Sequence, residues 1–527
     1  MPFLAVPSGH ARRAALLAVA VLALLGPAGC GSASTADTDP ATIAPASSLA
    51  FAEVVVRPEG QAGDDAEALL HRVLARDPGA ALQRLAASTI DRTDWRWSEI
   101  EPWLGRTMAV AVTGAPRAGG DADAVLILSA RDPDDAQDAL AAAGEREGGG
   151  GRAREREYRG VSYLADPDGT AAAVVGGFAV LGTDRGLRSV IDAEEGDEDR
   201  ALATSPAYRG ATAALSGGDD RLMTAYVDTP RLTTLLRQAG GGANAALLEG
   251  LREGAARAPV AAGAVVEGRT ARLEVAGPAS AGPAPDRTAA DVVAGQPADA
   301  WLAAGVPALG RQLQQALARF AAAAPGAPET LEGAVRDATG LDVERDLLGW
   351  VGDVGVFGIG RSILDFGGGV RIASTTPTGA ARFVARLEAL ARGLQRRARA
   401  AGTPEAVQVD AVAGGFQLRT PQLPLPLGVT SQRGGVTIGI GAAPAPATRL
   451  QGTPLYRQAA AALGGGVRPS FLLELGPALA ALRASGLTAG APGPERTLRT
   501  LDRLGIVAAG SSRRRDTLLQ RLAIEVP

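Results

Sequence analysis

Thr204-Ser205-Pro206-Ala207-Tyr208-Arg209 returns later in the chain as Gly452-Thr453-Pro454-Leu455-Tyr456-Arg457. Both the prolines and the tyrosines of this pair are 248 residues apart. Working outward, Pro102-Trp103-Leu104-Gly105 answers to Gly349-Trp350-Val351-Gly352, with the tryptophans 247 apart. Ala124-Val125-Leu126-Ile127-Leu128-Ser129 matches Gly369-Val370-Arg371-Ile372-Ala373-Ser374, and a proline follows each. Gly176-Gly177-Phe178-Ala179-Val180 matches Gly434-Gly435-Val436-Thr437-Ile438. Landmarks that keep their order and spacing over such distances mark an internal duplication.

Short apolar or alternating runs bounded by Gly, Pro or Asp read as strands. Each half closes with an apparent hairpin: Val260–Val266 turns at Glu267-Gly268 and returns through Arg272–Val275, and Ile506–Ala509 turns near Arg513-Arg514-Arg515. Longer segments carry helical spacing. In Asp65–Ala87 it is broken by Pro78, and in Thr378–Ala398 it starts at a threonine suited to capping. The fold class expected is α+β, in two duplicated domains, each a mostly antiparallel sheet with helices packed on one face.

The start of the chain reads differently. Arg12 and Arg13 precede an apolar stretch from Ala14 to Leu25, and Gly26-Pro27-Ala28-Gly29-Cys30 follows. A basic region, an apolar core and a small-residue cleavage zone make an export signal. The apolar core is about half of the ~20 residues a spanning helix needs. Ala28-Gly29-Cys30 resembles the end of a lipoprotein cleavage box, although Pro27 stands where leucine is usual. Cys30 is the only cysteine in the sequence and the expected lipidation site. The organisation read from the sequence is therefore 1–30 lipoprotein-type signal, 31–44 flexible tether, 45–281 first repeat, 282–295 linker and 296–527 second repeat. The expected location is the extracytoplasmic face of the cell membrane, reached by either the general secretory or the twin-arginine route.

Composition excludes more chemistry than it supports. With 53 basic and 57 acidic residues the formal charge is −4, which is no footprint for nucleic acid. Every basic residue is arginine. The absence of lysine removes Schiff-base chemistry and the phosphate-loop lysine. His10 and His71 are the only histidines, and His10 lies in the signal, so a multi-histidine metal site is out of reach. His71 falls on a helix, where a surface role is the simpler reading.

Other motifs are weak. Gly355-Val356-Phe357-Gly358-Ile359-Gly360 lacks dinucleotide-binding spacing and reads as a strand. Asp166-Pro167-Asp168-Gly169 reads as a hairpin turn, since the ligand positions of a calcium loop are missing. Glu194-Glu195-Gly196-Asp197-Glu198-Asp199 is an acidic loop, and Arg513-Arg514-Arg515 a basic turn. Trp95, Trp97 and Trp103 lie close together and read as core. No catalytic, cofactor-binding or metal-binding residue is nominated.

Pro102-Trp103-Leu104-Gly105, Thr204-Ser205-Pro206-Ala207-Tyr208 and the start at Ala28-Gly29-Cys30 together give the chain a likeness to a known family. It resembles the bacterial envelope proteins grouped as domain of unknown function thirty-three fifty-two, found in high-GC Gram-positive bacteria. The resemblance runs from about Pro45 to the end of the chain. It implies export and surface attachment and carries no activity, substrate or catalytic residue.

The function expected is that of an exported, lipid-anchored, non-enzymatic binding or scaffold protein. Its partners would be the membrane, through acylated Cys30, and an envelope protein, lipid or cell-wall component; nucleic acid is not among them. The alternative is a lipid or glycolipid carrier with an apolar cavity. A carboxylate-dependent hydrolase, which would need two convergent acids, ranks last.

Overall fold

The structure is a computed structural model. It describes residues 39–74, 97–115, 122–145, 153–196, 198–238, 257–279, 288–323, 332–337, 342–362, 365–376, 378–423, 425–432, 434–441, 448–484 and 492–527. The signal and Cys30 lie outside them, as do the glycine runs 148–151 and 240–242. The chain forms two compact units that divide between Ala281 and Gly282. The first also takes in Ser512–Arg521 and Val526, and the second ends with Leu522–Glu525 and Pro527.

The first unit is built on β1 (Ala50–Val55), β2 (Leu104–Val112), β3 (Ala124–Ala130), β4 (Arg154–Tyr158), β5 (Val161–Ala165), β6 (Thr170–Val175), β7 (Phe178–Thr183), β8 (Met223–Val227), β9 (Val260–Glu267) and β10 (Thr270–Pro278). Their order is β4-β5-β6-β7-β3-β2-β1-β8-β9-β10, and each of these pairings is antiparallel. The second unit uses β11 (Leu302–Val306), β12 (Val351–Ile359), β13 (Gly367–Ser374), β14 (Gln408–Val412), β15 (Gly415–Arg419), β16 (Leu427–Gln432), β17 (Gly435–Gly441), β18 (Arg468–Glu474) and β19 (Ile506–Arg514), with β20 (Thr517–Glu525) closing the chain. Their order is β14-β15-β16-β17-β13-β12-β11-β18-β19, again antiparallel throughout. The two orders are the same permutation.

Among the helices are α1 (Gly60–Leu74), α2 (Pro133–Gly144), α3 (Asp184–Glu194), α4 (Pro206–Thr212), α5 (Ala289–Ala294), α6 (Gly379–Ala400) and α7 (Pro454–Leu463). Local chemistry starts several of them. Asp132 accepts from the N–H groups of Asp134 and Asp135 ahead of α2, and Pro133 fills the first turn, where its missing N–H costs nothing. Thr453 caps α7 through the Tyr456 N–H. Thr378 makes no cap bond to α6, against expectation; its hydroxyl accepts from Arg382 instead. Of the helix expected over 65–87, α1 is described to Leu74.

Matching landmarks do matching work. Trp103 donates its indole N–H to the Glu99 carbonyl (2.7 Å), and Trp350 donates to the Asp346 carbonyl (3.0 Å). Their own carbonyls accept from Arg131 and Thr375, where β3 and β13 end. Pro45 bridges to Ala201 as Pro297 bridges to Arg449. The near-constant offset hides two length changes of opposite sign. The helix after β3 has 12 residues, whereas the one after β13 has 22. The first unit then inserts α3, of 11 residues, after β7. In the second unit Arg449, at the Pro297 bridge, comes eight residues after Gly441, the end of β17.

Helix placement is broader than the one face expected. Val125 and Ile127 of β3 pack with Leu187, Val190 and Ile191 of α3. Leu128 of the same strand packs with Ala136 and Leu140 of α2. Successive side chains point to opposite faces of a strand, so β3, apolar on both, carries a helix on each. In the second unit Val384 and Ala391 of α6 cover Val409, Phe416, Val429 and Val436.

Two segments expected to be loose are packed. In the stretch read as tether, Asp39 caps a 3₁₀ turn over Pro40–Thr42, and Ala41, Ile43 and Ala44 are buried. In the stretch read as linker, α5 carries a full capping box between Thr288 and Asp291, and Val292, Val293 and Ala294 are buried.

Candidate functional site

The motifs singled out in the sequence fall into structural roles where they are described. His71 is an exposed residue of α1, 3.6 Å from the Glu67 carboxylate. Gly355 and Gly358 belong to β12 and Gly360 follows it; bare backbone in the strand admits neighbours, and a Cβ on Gly358 would stand 2.9 Å from the Trp301 ring. Asp166–Gly169 is the β5–β6 turn, with Gly169 at φ +91° and Asp168 accepting from the Thr170 N–H. In the acidic loop, burial and the neighbouring Glu195 push the Glu194 carboxyl up. Asp197 lies outside the described residues. Among those residues no cluster of three or more His, Cys, Asp or Glu could hold a metal. Trp103 is buried; Trp95 and the Trp97 side chain lie outside the described residues. Arg513 and Arg514 are exposed at the end of β19, and Arg515, at φ +52°, opens the turn into β20.

The first unit contains a pocket of about 340 Å³ that none of those motifs marks. Asp39, Glu53, Asp219, Arg106, Arg221 and Tyr208 supply its polar lining. Its position follows from the sheet. Glu53 lies on β1 between Ala109 and Thr224 of the flanking strands. It shares a face with Phe51, two residues before it, and Phe51 meets Tyr208 edge-on at 5.9 Å. Tyr208 in turn meets Tyr226 at 5.4 Å, so the tyrosine of α4 is held in an aromatic cluster worth about 0.5–1.5 kcal/mol per contact beyond burial.

Burial sets the chemistry here. It pushes the Asp39 carboxyl up, while the Ala41 N–H bond (2.8 Å) and the Arg221 charge pull it back down. Asp39 itself keeps contact with solvent. Burial raises the Tyr208 hydroxyl well above the usual phenol range and brings Tyr226 to about 12. Arg221 donates from Nε to the Gly218 carbonyl (2.9 Å), while its Nη1 is buried without a hydrogen-bond partner.

The second unit repeats the constellation and closes it. Asp291 stands six residues before Pro297, as Asp39 stands six before Pro45. Tyr456 of α7 is the duplicate of Tyr208, and it feels Asp291 and Arg468 as Tyr208 feels Asp39 and Arg221. Here, however, Arg468 bonds directly to Asp291 (2.8 Å) and reaches the Thr288 hydroxyl (3.3 Å). Hydrogen bonds from Thr288, and then from Arg468, hold the Asp291 carboxyl down at about 2. Among the described residues no arginine forms an ion pair with Asp39.

Sequence reasoning found both tyrosines and missed both aspartates, which lay in stretches read as tether and linker. The signal was available: the six-residue spacing to the paired prolines.

Fold and pocket together define a protein of two equivalent antiparallel α+β units, each with an Asp–Tyr–Arg constellation. Residues 81–395 match the family model described as "Protein of unknown function (DUF3352)", and the chain belongs to that family. No curated protein matches it. Among solved structures it is similar to TP0453. Crystal form I of that protein has 8% identity and a TM-score of 0.26, over 47% of this chain and 82% of that one. Crystal form III has 9% identity and a TM-score of 0.27, over 50% and 90%. Among the described residues no helix is long and apolar enough to cross a membrane.

Proposed function

We propose that the chain is an exported, lipid-anchored envelope protein that acts by binding, without catalysis. The observation that carries the binding role is the Asp–Tyr–Arg constellation, open to a pocket in the first unit and closed by its own ion pair in the second. A pocket lined by three carboxylates and two guanidinium groups fits a small polar ligand better than a lipid tail. Attachment rests on the signal and Cys30. In cell fractionation Cys30→Ser should move the protein out of the membrane fraction; firm membrane association of the variant would refute lipid anchoring.

A second reading draws on the same walls. Asp39, with its carboxyl pushed up, lies in one pocket with Glu53, and glycoside hydrolysis needs such a pair. That reading requires a bound ligand to be released cleaved. Recovery of an intact ligand by mass spectrometry would exclude it.

A further inference from the structure

In the second unit the chain displays the group that this constellation accepts. Arg468 brings a guanidinium to the carboxylate beside the tyrosine, with Nη1 on Asp291 and Nη2 on the Thr288 hydroxyl. In the first unit the corresponding carboxylate, Asp39, faces a pocket. One strand position beside the constellation differs between the repeats. Gly305 of β11 sits where β1 has Glu53, each being the fourth residue of its strand. A Cβ on Gly305 would lie 2.4 Å from the Ala289 carbonyl and 2.8 Å from Val292 Cβ, so α5 lies directly on this glycine. At Glu53 the strand carries a full side chain, and a pocket lies beside it.

The other half of the requirement comes from Arg221. Its Nη1 is buried and has no hydrogen-bond partner, and a buried guanidinium N–H left unpaired is costly. Arg221 also lines the pocket, so a ligand there that brings a cation to Asp39 and an acceptor oxygen to the accessible edge of the Arg221 guanidinium pairs charge with charge at both ends. The lining as a whole has three carboxylates against two guanidinium groups, which favours the cationic end.

We infer that the first unit's pocket is a binding site for a small zwitterionic ligand, with a guanidinium group held by Asp39 and a carboxylate held by Arg221. This rests on the reading of the chain as a binding protein and names the ligand class. Charge-assisted bonds of this kind are the strong ones, so removing either end is expected to cost about tenfold or more in affinity.

The test is calorimetric titration of the full-length chain with three probes. L-Arginine carries both groups, L-citrulline replaces the guanidinium by a neutral isostere, and agmatine lacks the carboxylate. The expected result is binding of arginine, with citrulline and agmatine each at least tenfold weaker. Asp39→Asn should bring arginine down to the citrulline level. Glu53→Gln serves as a second variant should Asp39→Asn fail to fold, and should weaken arginine more than citrulline. Equal affinities for arginine and citrulline, or undiminished arginine binding by Asp39→Asn, would overturn the site. Absence of arginine binding would overturn the ligand class. Native mass spectrometry of the gently purified protein keeps the two readings apart: another small molecule retained by a chain that ignores arginine would leave the binding role standing.

Discussion

Glu53 and Gly305 occupy the same place in two sheets of identical order, yet their surroundings differ. At Gly305 a helix lies on the bare backbone and the nearby carboxylate is tied to Arg468. At Glu53 the backbone carries an acid, and the nearby carboxylate faces a pocket. A duplicated fold can keep its topology while one copy is packed shut and the other keeps a pocket. The same trade appears in the core. Phe51 of β1 faces Ala111 of β2, and Ala303 of β11 faces Phe357 of β12, so bulk has moved across the strand pair. All four are buried. Cores tolerate such exchanges when total volume is kept.

The largest effect should come from breaking that exchange. Phe51→Ala removes a fully buried ring from an aromatic cluster and should cost about 3–5 kcal/mol in denaturant unfolding. Adding Ala111→Phe, which imitates the second unit, should return more than about 1 kcal/mol relative to the single variant. A double variant no more stable than the single would mean that the two cores are not interchangeable in this way. The next effect concerns the strand position itself. Gly305→Ala drives a Cβ into the backbone of α5 and should destabilise by about 1–3 kcal/mol. Glu53→Ala, at the matching position, should change stability by less than about 1 kcal/mol. Similar costs at the two positions would erase the contrast.

The smallest effect sharpens the electrostatic difference. Thr288→Ala removes the capping box of α5 and should cost about 1 kcal/mol. The Asp291 carboxyl is held at about 2, below its ordinary value of 3.8. Its contribution is therefore fully present above pH 3.8 and disappears as the pH falls through about 2. In Thr288→Ala that loss should become shallower, and an NMR titration should show the Asp291 carboxyl moving back up. An unchanged titration would show that Thr288 does not hold it.

Much of this was legible in the sequence because it depends on local pattern. The two Pro-x-Tyr-Arg segments, Trp103 and Trp350, and the alternating strands announced a repeated antiparallel α+β unit. What the sequence hid depends on tertiary context. Pro40-Ala41-Thr42-Ile43 and Asp291-Val292-Val293-Ala294 look like connecting chain, and only an apolar sheet face beside them turns them into core. The added helix α3 and the longer α6 nearly cancel in the numbering, so offsets measured at Trp103 and Tyr208 did not reveal them. The pocket was hidden for the same reason. Its aspartate, tyrosine and arginines lie far apart in sequence, and pairing of β1 with β2 and β8 gathers them.

One copy of the constellation is open to a pocket and the other is closed by an ion pair. The most direct measurement is the binding stoichiometry of L-arginine on the full-length chain, compared between wild type and Asp291→Asn. The account predicts one arginine per chain in both, because Asp291 already holds Arg468. Two per chain in the wild type, or loss of binding in Asp291→Asn, would contradict it.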